Sequence, residues 1–367
     1  MSGLQIGTAR ARPGEIVTGW LGKIDLPTGT QDRFPVILAQ GKDPRGPVCW
    51  VTAGIHGGEH AGVIVAQQLV TPELVARLRG TLVVIPTLNP AGLRTKERKP
   101  YYYDGDPNRL FPEPNAYTPP DEIVGLEAAY LEVYRAIEES GACCLLDLHT
   151  AQIGSIPLVF RDPIFYHRRF GRGLSRSDAL ALQSRLSEML DALGLPVINE
   201  FGASSYLSRG LHRSVTGSVL NGLGIPAATI ELGSWMHVDE HVVEGCLAGL
   251  RNVLRWAGLL PGKPERVTGI KRLDADRPLR RCIHPKAPHA GIVHHLVRPG
   301  TAVHAGDPVA RLTDIFGQPV GDDDGLIRSE YDGYVLAWQQ GVVRYEGEAI
   351  MIMAIPDDSE LVIPYPY

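Results

Sequence analysis

Hydrophobic and polar positions alternate along this chain in blocks that predict a layered α/β protein. Short, apolar, β-branched runs at Val48–Ala53, Thr81–Leu88, Cys143–Leu148, Ile156–Phe160 and Ala227–Leu232 read as buried strands. Between them lie longer segments of helical character, near Ala61–Arg79, Asp121–Ser140, Asp178–Leu193 and Val238–Leu259. Strand and helix in alternation predict an α/β fold: a mixed, mainly parallel sheet flanked by helices on both faces. Residues 1–46 differ. There Gly14–Leu21 and Phe34–Ala39 are strand-like and joined by a Pro/Gly/Asp-rich turn, which predicts an N-terminal β layer without evident chemistry.

The turn between Val48–Ala53 and its helix stands out. It reads Gly54-Ile55-His56-Gly57-Gly58-Glu59-His60-Ala61-Gly62, with an imidazole and a carboxylate three residues apart on a glycine-rich bend. Those side chains are donors that a borderline-soft cation such as zinc accepts. Two donors make no site, so a third has to come from elsewhere. The strand Cys143–Leu148 ends in His149-Thr150, and Asp147 shares a strand face with His149. Asp147 is placed either to orient that histidine or to cap the loop. The run Ala227-Ala228-Thr229-Ile230-Glu231-Leu232 carries a carboxylate that is costly to bury without a task or a partner, which favours catalysis for Glu231. His60 neighbours Glu59, but a helix would turn it away, so a supporting role is expected.

Beyond Thr81–Leu88 comes Asn89-Pro90-Ala91-Gly92 and then a long loop containing Arg94, Arg98, Tyr101-Tyr102-Tyr103, Asn108 and Arg109. Loops of this length inside a compact domain are functional or disordered, and the aromatic content argues against disorder. His56, Glu59, Arg98, Arg109, His149 and Glu231 thus all fall at or beyond the carboxyl ends of predicted parallel strands. In open α/β sheets that edge binds ligands.

Composition removes some classes of function. The chain has 367 residues, 44% hydrophobic and 21% charged, as in an ordinary globular protein with room for two domains. A net charge of −5 gives no reason to expect nucleic-acid or anionic-membrane binding. No N-terminal segment of secretory type and no membrane-spanning run is present, and the five cysteines (Cys49, Cys143, Cys144, Cys246, Cys282) lack metal-type spacing. Buried free thiols and a cytoplasmic location are expected; self-association is left open.

The order His56-x-x-Glu59, Asp106-Pro107-Asn108-Arg109, His149 and Glu231 resembles the zinc carboxypeptidase superfamily. More closely, it resembles the succinylglutamate desuccinylase/aspartoacylase family within it. The matching phrases are Gly54-Ile55-His56-Gly57-Gly58-Glu59, Asn89-Pro90-Ala91-Gly92, Asp104-Gly105-Asp106-Pro107-Asn108-Arg109-Leu110-Phe111-Pro112, Asp147-Leu148-His149-Thr150 and Thr229-Ile230-Glu231-Leu232-Gly233, over roughly residues 30–355. The resemblance implies that His56, Glu59 and His149 bind one zinc per chain, and that Glu231 is general base and then general acid. It implies that Asn108 and Arg109 hold a substrate carboxylate and that Arg98 steadies the oxyanion, with Arg94 as the alternative. The expected activity is zinc-dependent hydrolysis of the amide of a small N-acyl amino acid, such as an N-acetyl or N-succinyl derivative. Two other readings are a metallocarboxypeptidase acting on small peptides and a metal-free binding protein with a dead site. The chain departs from the family where Gly58 replaces a common acidic or amide residue and Pro107 a common leucine; Pro107 fixes one backbone angle before Asn108.

After Gly262-Lys263-Pro264 the composition shifts to β and turn signals, which divides the chain into a catalytic domain (1–265) and a β domain (266–367). The β stretch repeats: Gly291 and Gly333 lie 42 apart, Gly306 and Gly347 lie 41 apart. It resembles the barrel-sandwich (lipoyl/biotinyl-like) domain, which deacylases of this family carry over the zinc site and digestive carboxypeptidases lack. No lysine follows Lys286, so the domain is no swinging-arm carrier. His237 and His241 are expected to be solvated or capping, and His294, His295 and His304 to sit on strand faces. Arg161, Arg209 and Arg213 are candidates for a second acidic group of the substrate. Tyr101-Tyr102-Tyr103 either admits a larger acyl group or packs the loop.

Overall fold

The computed structural model describes residues 4–114, 125–167 and 173–366, and most of its strands belong to one twelve-stranded sheet. A small hairpin, β1 (Gln5–Ile6) and β2 (Ala9–Arg10), precedes the long antiparallel pair β3 (Ile16–Asp25) and β4 (Gln31–Gln40). Next come β5 (Asp43–Ala53), helices α1 (His60–Leu69) and α2 (Pro72–Arg77), and β6 (Arg79–Ile85). Helix α3 (Pro90–Thr95), the 97–112 loop and α4 (Gly125–Glu139) lead into β7 (Ala142–Ala151). Then follow β8 (Leu158–Arg161), β9 (Ile164–Tyr166), α5 (Arg176–Leu193), β10 (Val197–Asn199), α6 (Ala203–Ser208), α7 (Val215–Ser218), β11 (Ala227–Ser234) and α8 (Glu240–Trp256).

The expected parallel block is β11-β7-β5-β6, with β4 and β3 added antiparallel as the N-terminal layer. On the other side the direction reverses: β8 pairs antiparallel with β11, and β10 follows β8 in parallel. The strand predicted at Ile156–Phe160 therefore runs against β11.

Local chemistry explains where elements differ from the pattern. The segment expected as one helix over Ala61–Arg79 is two, because Thr71 accepts a hydrogen bond from Leu74 N and Pro72 starts a new helix. Arg79 already belongs to β6. That strand stops at Ile85 rather than Leu88, since Asn89 turns away to cap α3 through Gly92 N. Helix α8 starts at Glu240, where Asp239 accepts from His241 N. The first four residues of the helix expected over 121–140 lie outside the described residues. Helices α6 and α7 and the following π-turn (219–223) were not expected; they are too short to show periodicity.

The main core packs the central strands against the helices, and it also holds the long loop. Phe111 and Tyr130 are fully buried, and the Tyr130 ring lies between Phe34 (5.4 Å) and Phe111 (5.0 Å). Phe111 thus ties the segment carrying Asn108 and Arg109 to the sheet. Cys49, Cys144 and Cys246 are buried free thiols, with Cys143 and Cys282 partly buried.

The C-terminal part begins at β12 (Leu279–Cys282), which pairs with β10, so the large sheet continues into it. It continues through β13 (Gly291–His295), β14 (Ala302–Val303), β15 (Pro308–Thr313), β16 (Leu326–Arg328), β17 (Gly333–Trp338), β18 (Val343–Arg344) and β19 (Met351–Pro356). The repeat is visible in its core: Val293 matches Val335, Val309 matches Ile350 and Leu312 matches Met353, all buried. Gly306 (φ +93°) and Gly347 (φ +80°) turn the chain at equivalent places. The last strand, β20 (Val362–Pro364), returns to pair with β9. No helix among the described residues is long and apolar enough to cross a membrane.

Candidate active site

The site is built where β5, β7 and β11 end. After Ala53 the chain bends through Gly54 (φ +60°), and Gly57 passes so close to α3 that a Cβ would lie 1.9 Å from the Gly92 carbonyl carbon. Only glycine fits there. This bend buries His56 (3% exposed) and Glu59 (2%) beside His149 (3%), which the parallel register of β7 and β11 sets next to Glu231.

Both imidazoles turn Nδ1 toward one carboxylate. His56 Nδ1 lies 2.8 Å from Glu59 Oε1, and His149 Nδ1 lies 2.8 Å from Glu59 Oε2. The ligand atoms of the three residues all fall within 4.8 Å of one another. Behind each ring stands a second carboxylate: Asp147 Oδ2 at 2.6 Å from His149 Nε2, and Asp106 Oδ1 at 3.0 Å from His56 Nε2. Asp147 is itself held by Thr52 Oγ1 at 2.7 Å. Two buried imidazoles and a carboxylate, each imidazole gripped on its far nitrogen, form a donor set that suits a divalent cation. Burial opposes a charged His149, but the Asp147 and Glu59 carboxylates outweigh it and hold its pKa well above the usual imidazole range. Of the two roles considered for Asp147, the structure shows the one that orients His149.

Glu231 stands apart from this trio. Its Oε2 is buried with no hydrogen-bond partner among the described residues. Burial pushes its carboxyl up to about 7; the Glu59 charge adds to this, while His149 pulls the other way. A carboxyl poised near neutrality can both take and return a proton.

A cavity of about 290 Å³ opens onto these groups, and its walls include the three ligand candidates, Glu231, Arg98, Asn108 and Arg109. All seven residues singled out from the sequence therefore meet at one place. Arg98 sits 2.9 Å from Asp106 Oδ2 and 3.7 Å from Glu59 Oε1, whereas Arg94 is turned away onto Asp32 at 2.8 Å. Asn108 accepts a hydrogen bond from Val215 N at 2.9 Å. Arg109 is braced by two carbonyls, Nε donating to Arg209 O (2.7 Å) and Nη1 to Asn108 O (2.5 Å).

Several other expectations resolve as well. Arg161 is bonded to Asn199, Arg213 to Glu127, and Arg209 lies over the Phe201 ring; none of the three lines this cavity. His237 and His241 are exposed. His294 bonds Thr313 across its strand pair, His295 stacks on Trp338, and His304 faces Asp332 at 3.5 Å. The three tyrosines line a separate surface depression, so here they shape the loop and not the cavity.

Other groups in or beside the cavity had no place in the sequence reading. Asp106 was quoted only as part of a motif. Trp235 covers Gly58, where a Cβ would meet its Cζ2 at 2.2 Å, so the glycine at 58 makes room for this indole. Asp162, Glu200 and Arg281 line the far end. Asp162 and Glu200 each follow a short strand, and polar residues at strand ends were the available signal.

A model of the succinylglutamate desuccinylase/aspartoacylase catalytic domain matches residues 45–257, more than half of the chain. The chain belongs to the succinylglutamate desuccinylase/aspartoacylase family. A succinylglutamate desuccinylase of Yersinia pestis (strain Pestoides F) is 35% identical over 126 residues, covering 33% of this chain and 34% of that protein. The match thus spans about a third of the length of this curated family member. Among solved structures, a succinylglutamate desuccinylase from Silicibacter sp. TM1040 superposes with a TM-score of 0.70 at 18% identity, covering 93% of this chain and 95% of the other. A succinylglutamate desuccinylase/aspartoacylase from Rhodobacter sphaeroides gives 0.67 at 20% identity, again over 93% and 95%. This family fold includes the C-terminal β part, since the superposed share reaches well beyond residue 257.

Proposed function

We propose that this protein is a zinc-dependent amidohydrolase that removes the acyl group from a small, carboxylate-bearing N-acyl amino acid. The observation that carries the reading is Glu231: a half-buried glutamate whose Oε2 is buried and unpartnered among the described residues, next to a His56/Glu59/His149 donor set but not part of it. On this reading those three residues hold the metal. A zinc bound there supplies Lewis acidity, which acidifies water and polarises a carbonyl.

The chain's own residues carry the rest. Glu231 takes a proton from water at its free Oε2 and returns it to the leaving nitrogen as the C–N bond breaks. Arg98 stabilises charge that appears on the carbonyl oxygen only in the transition state; losing such a donor costs about 3–4 kcal/mol. Arg109 offers a planar fork to the substrate carboxylate, held in place by its carbonyl braces, with Asn108 beside it. On this reading residues 1–265 hold the hydrolytic site, and residues 266–367 add Arg281, Gln340 and Ile352 to the cavity wall. That favours small substrates over peptides.

Asp147→Asn keeps the shape of its side chain but weakens the grip on His149. Zinc affinity is expected to fall by about 10- to 100-fold, measured by competition with a chromophoric chelator.

Zinc-loaded protein should be offered N-acyl amino acids and small peptides side by side. Acyl groups released from blocked amino acids are the expected result. Release of C-terminal residues from peptides instead would replace this reading with a carboxypeptidase. Purified protein that takes up no stoichiometric metal would leave only the binding-protein reading.

A further inference from the structure

The far end of the cavity holds charges that the hydrolysis does not use. Asp162 (5% exposed) and Glu200 (4%) both line it. Glu200 is paired: its Oε2 sits 3.0 Å from Arg281 Nη1, and the Arg281 guanidinium lies over the Phe160 and Phe201 rings at 4.8 and 4.9 Å. Asp162 is not paired. Two hydroxyls converge on its Oδ2, from Tyr206 at 3.0 Å and Thr216 at 3.2 Å, while Oδ1 bonds none of the described residues. Among the described residues no cation lies within ion-pair distance of it, and Arg109 acts on it only at longer range.

Apart from Glu231 and the three ligand candidates, the charges of the cavity match off with one remainder. Arg98 faces Asp106 at 2.9 Å, Arg281 faces Glu200, and Arg109 stands farther from Asp106, at 4.0 Å, with its fork turned to the cavity that would take a substrate carboxylate. Asp162 is left more than nine-tenths buried, with an unpartnered oxygen in the wall of the cavity and no counter-charge. Buried carboxylates are kept only with a partner or a task. Burial, reinforced by the Glu200 charge, pushes Asp162 up to about 7, as expected for an acid short of a counterion.

We infer that Asp162 is the seat of a cationic group on the leaving amino acid, so that the substrates are N-acyl amino acids with an ammonium-bearing side chain. This rests on the deacylase reading and names its substrate class. The rival is an acidic side chain held by Arg281. Glu200 already holds Nη1 of that guanidinium, and a second anion at its unpartnered Nε would sit beside two buried carboxylates.

The test compares Nα-acetyl-lysine, Nα-acetyl-ornithine and their shorter diamino homologues with neutral Nα-acetyl-norleucine and acidic Nα-acetyl-glutamate. Zinc-loaded enzyme supplies kcat/KM, and metal-free protein supplies calorimetric binding of the free amino acids. At least one diamino acid should exceed norleucine by about tenfold in both readouts, the worth of one charge-assisted hydrogen bond. In Asp162→Asn that ratio should fall to about one. If the neutral or acidic compounds are preferred in both readouts, the cation seat is overturned while the deacylase reading stands. If zinc-loaded enzyme cleaves no N-acyl amino acid, the deacylase reading falls, and calorimetry still decides whether an ammonium binds. Should Asp162→Asn fail to fold, the wild-type ratios alone decide.

Discussion

Glu231→Gln is expected to keep its metal and lose roughly 10²- to 10⁴-fold in kcat, the range spanned by a positioned proton carrier. Glutamine fills the same space beside His149 but cannot accept a proton. The donor trio excludes Glu231, so zinc content should stay at one per chain, as measured by elemental analysis of the purified variant. Stability should be held as well, because Glu231 Oε2 has no hydrogen bond to lose. Zinc loss equal to that of a ligand variant would move Glu231 into the metal's own shell and end its assignment as proton carrier.

Glu59→Ala and His149→Ala should lose metal and activity together. Glu59 is the hub: its two oxygens face both imidazoles, and Oε2 also accepts from Thr150 N at 3.1 Å. Removing it leaves His56, His149 and Arg98 without the carboxylate they share. Breaking a buried pair of this kind costs about 3–5 kcal/mol, so the variant should melt markedly earlier than wild type. His149→Ala removes the ring but leaves Asp147 buried with Thr52 as its remaining partner. Thermal melts with zinc analysis check both variants. Full zinc occupancy in either one would dismantle the proposed site.

The central architecture was legible in the sequence because its strands are fully buried and their apolar runs are continuous. The donor trio was legible for a different reason. Histidine and glutamate are conspicuous at strand ends, and Gly54-Ile55-His56-Gly57-Gly58-Glu59 allows few other roles. What stayed hidden depends on strand direction and on distant partners. Nothing local says that β8 runs against β11, yet that reversal puts Asp162 and Glu200 at the cavity's far end and not beside His149. Asp106 gave no hint that it would reach His56, fifty residues away. Arg281 sits beyond the linker, in a stretch whose composition signalled only β structure. That Arg98 and not Arg94 lines the cavity turned on Asp32, a residue in the N-terminal layer that carried no chemical signal of its own.

The pairing of β10 with β12 makes the C-terminal third more than an appendage. It sets Arg281 one residue past the Asn199–Arg280 pair, level with Glu200, and so lends the cavity a charge from beyond residue 265. A chain cut at Gly262 would expose a bare strand edge and strand Glu200 beside Asp162 with no cation to separate them. Exchange of this module between relatives would carry selectivity with it, since part of the wall that meets the substrate arrives from the far side of the cut.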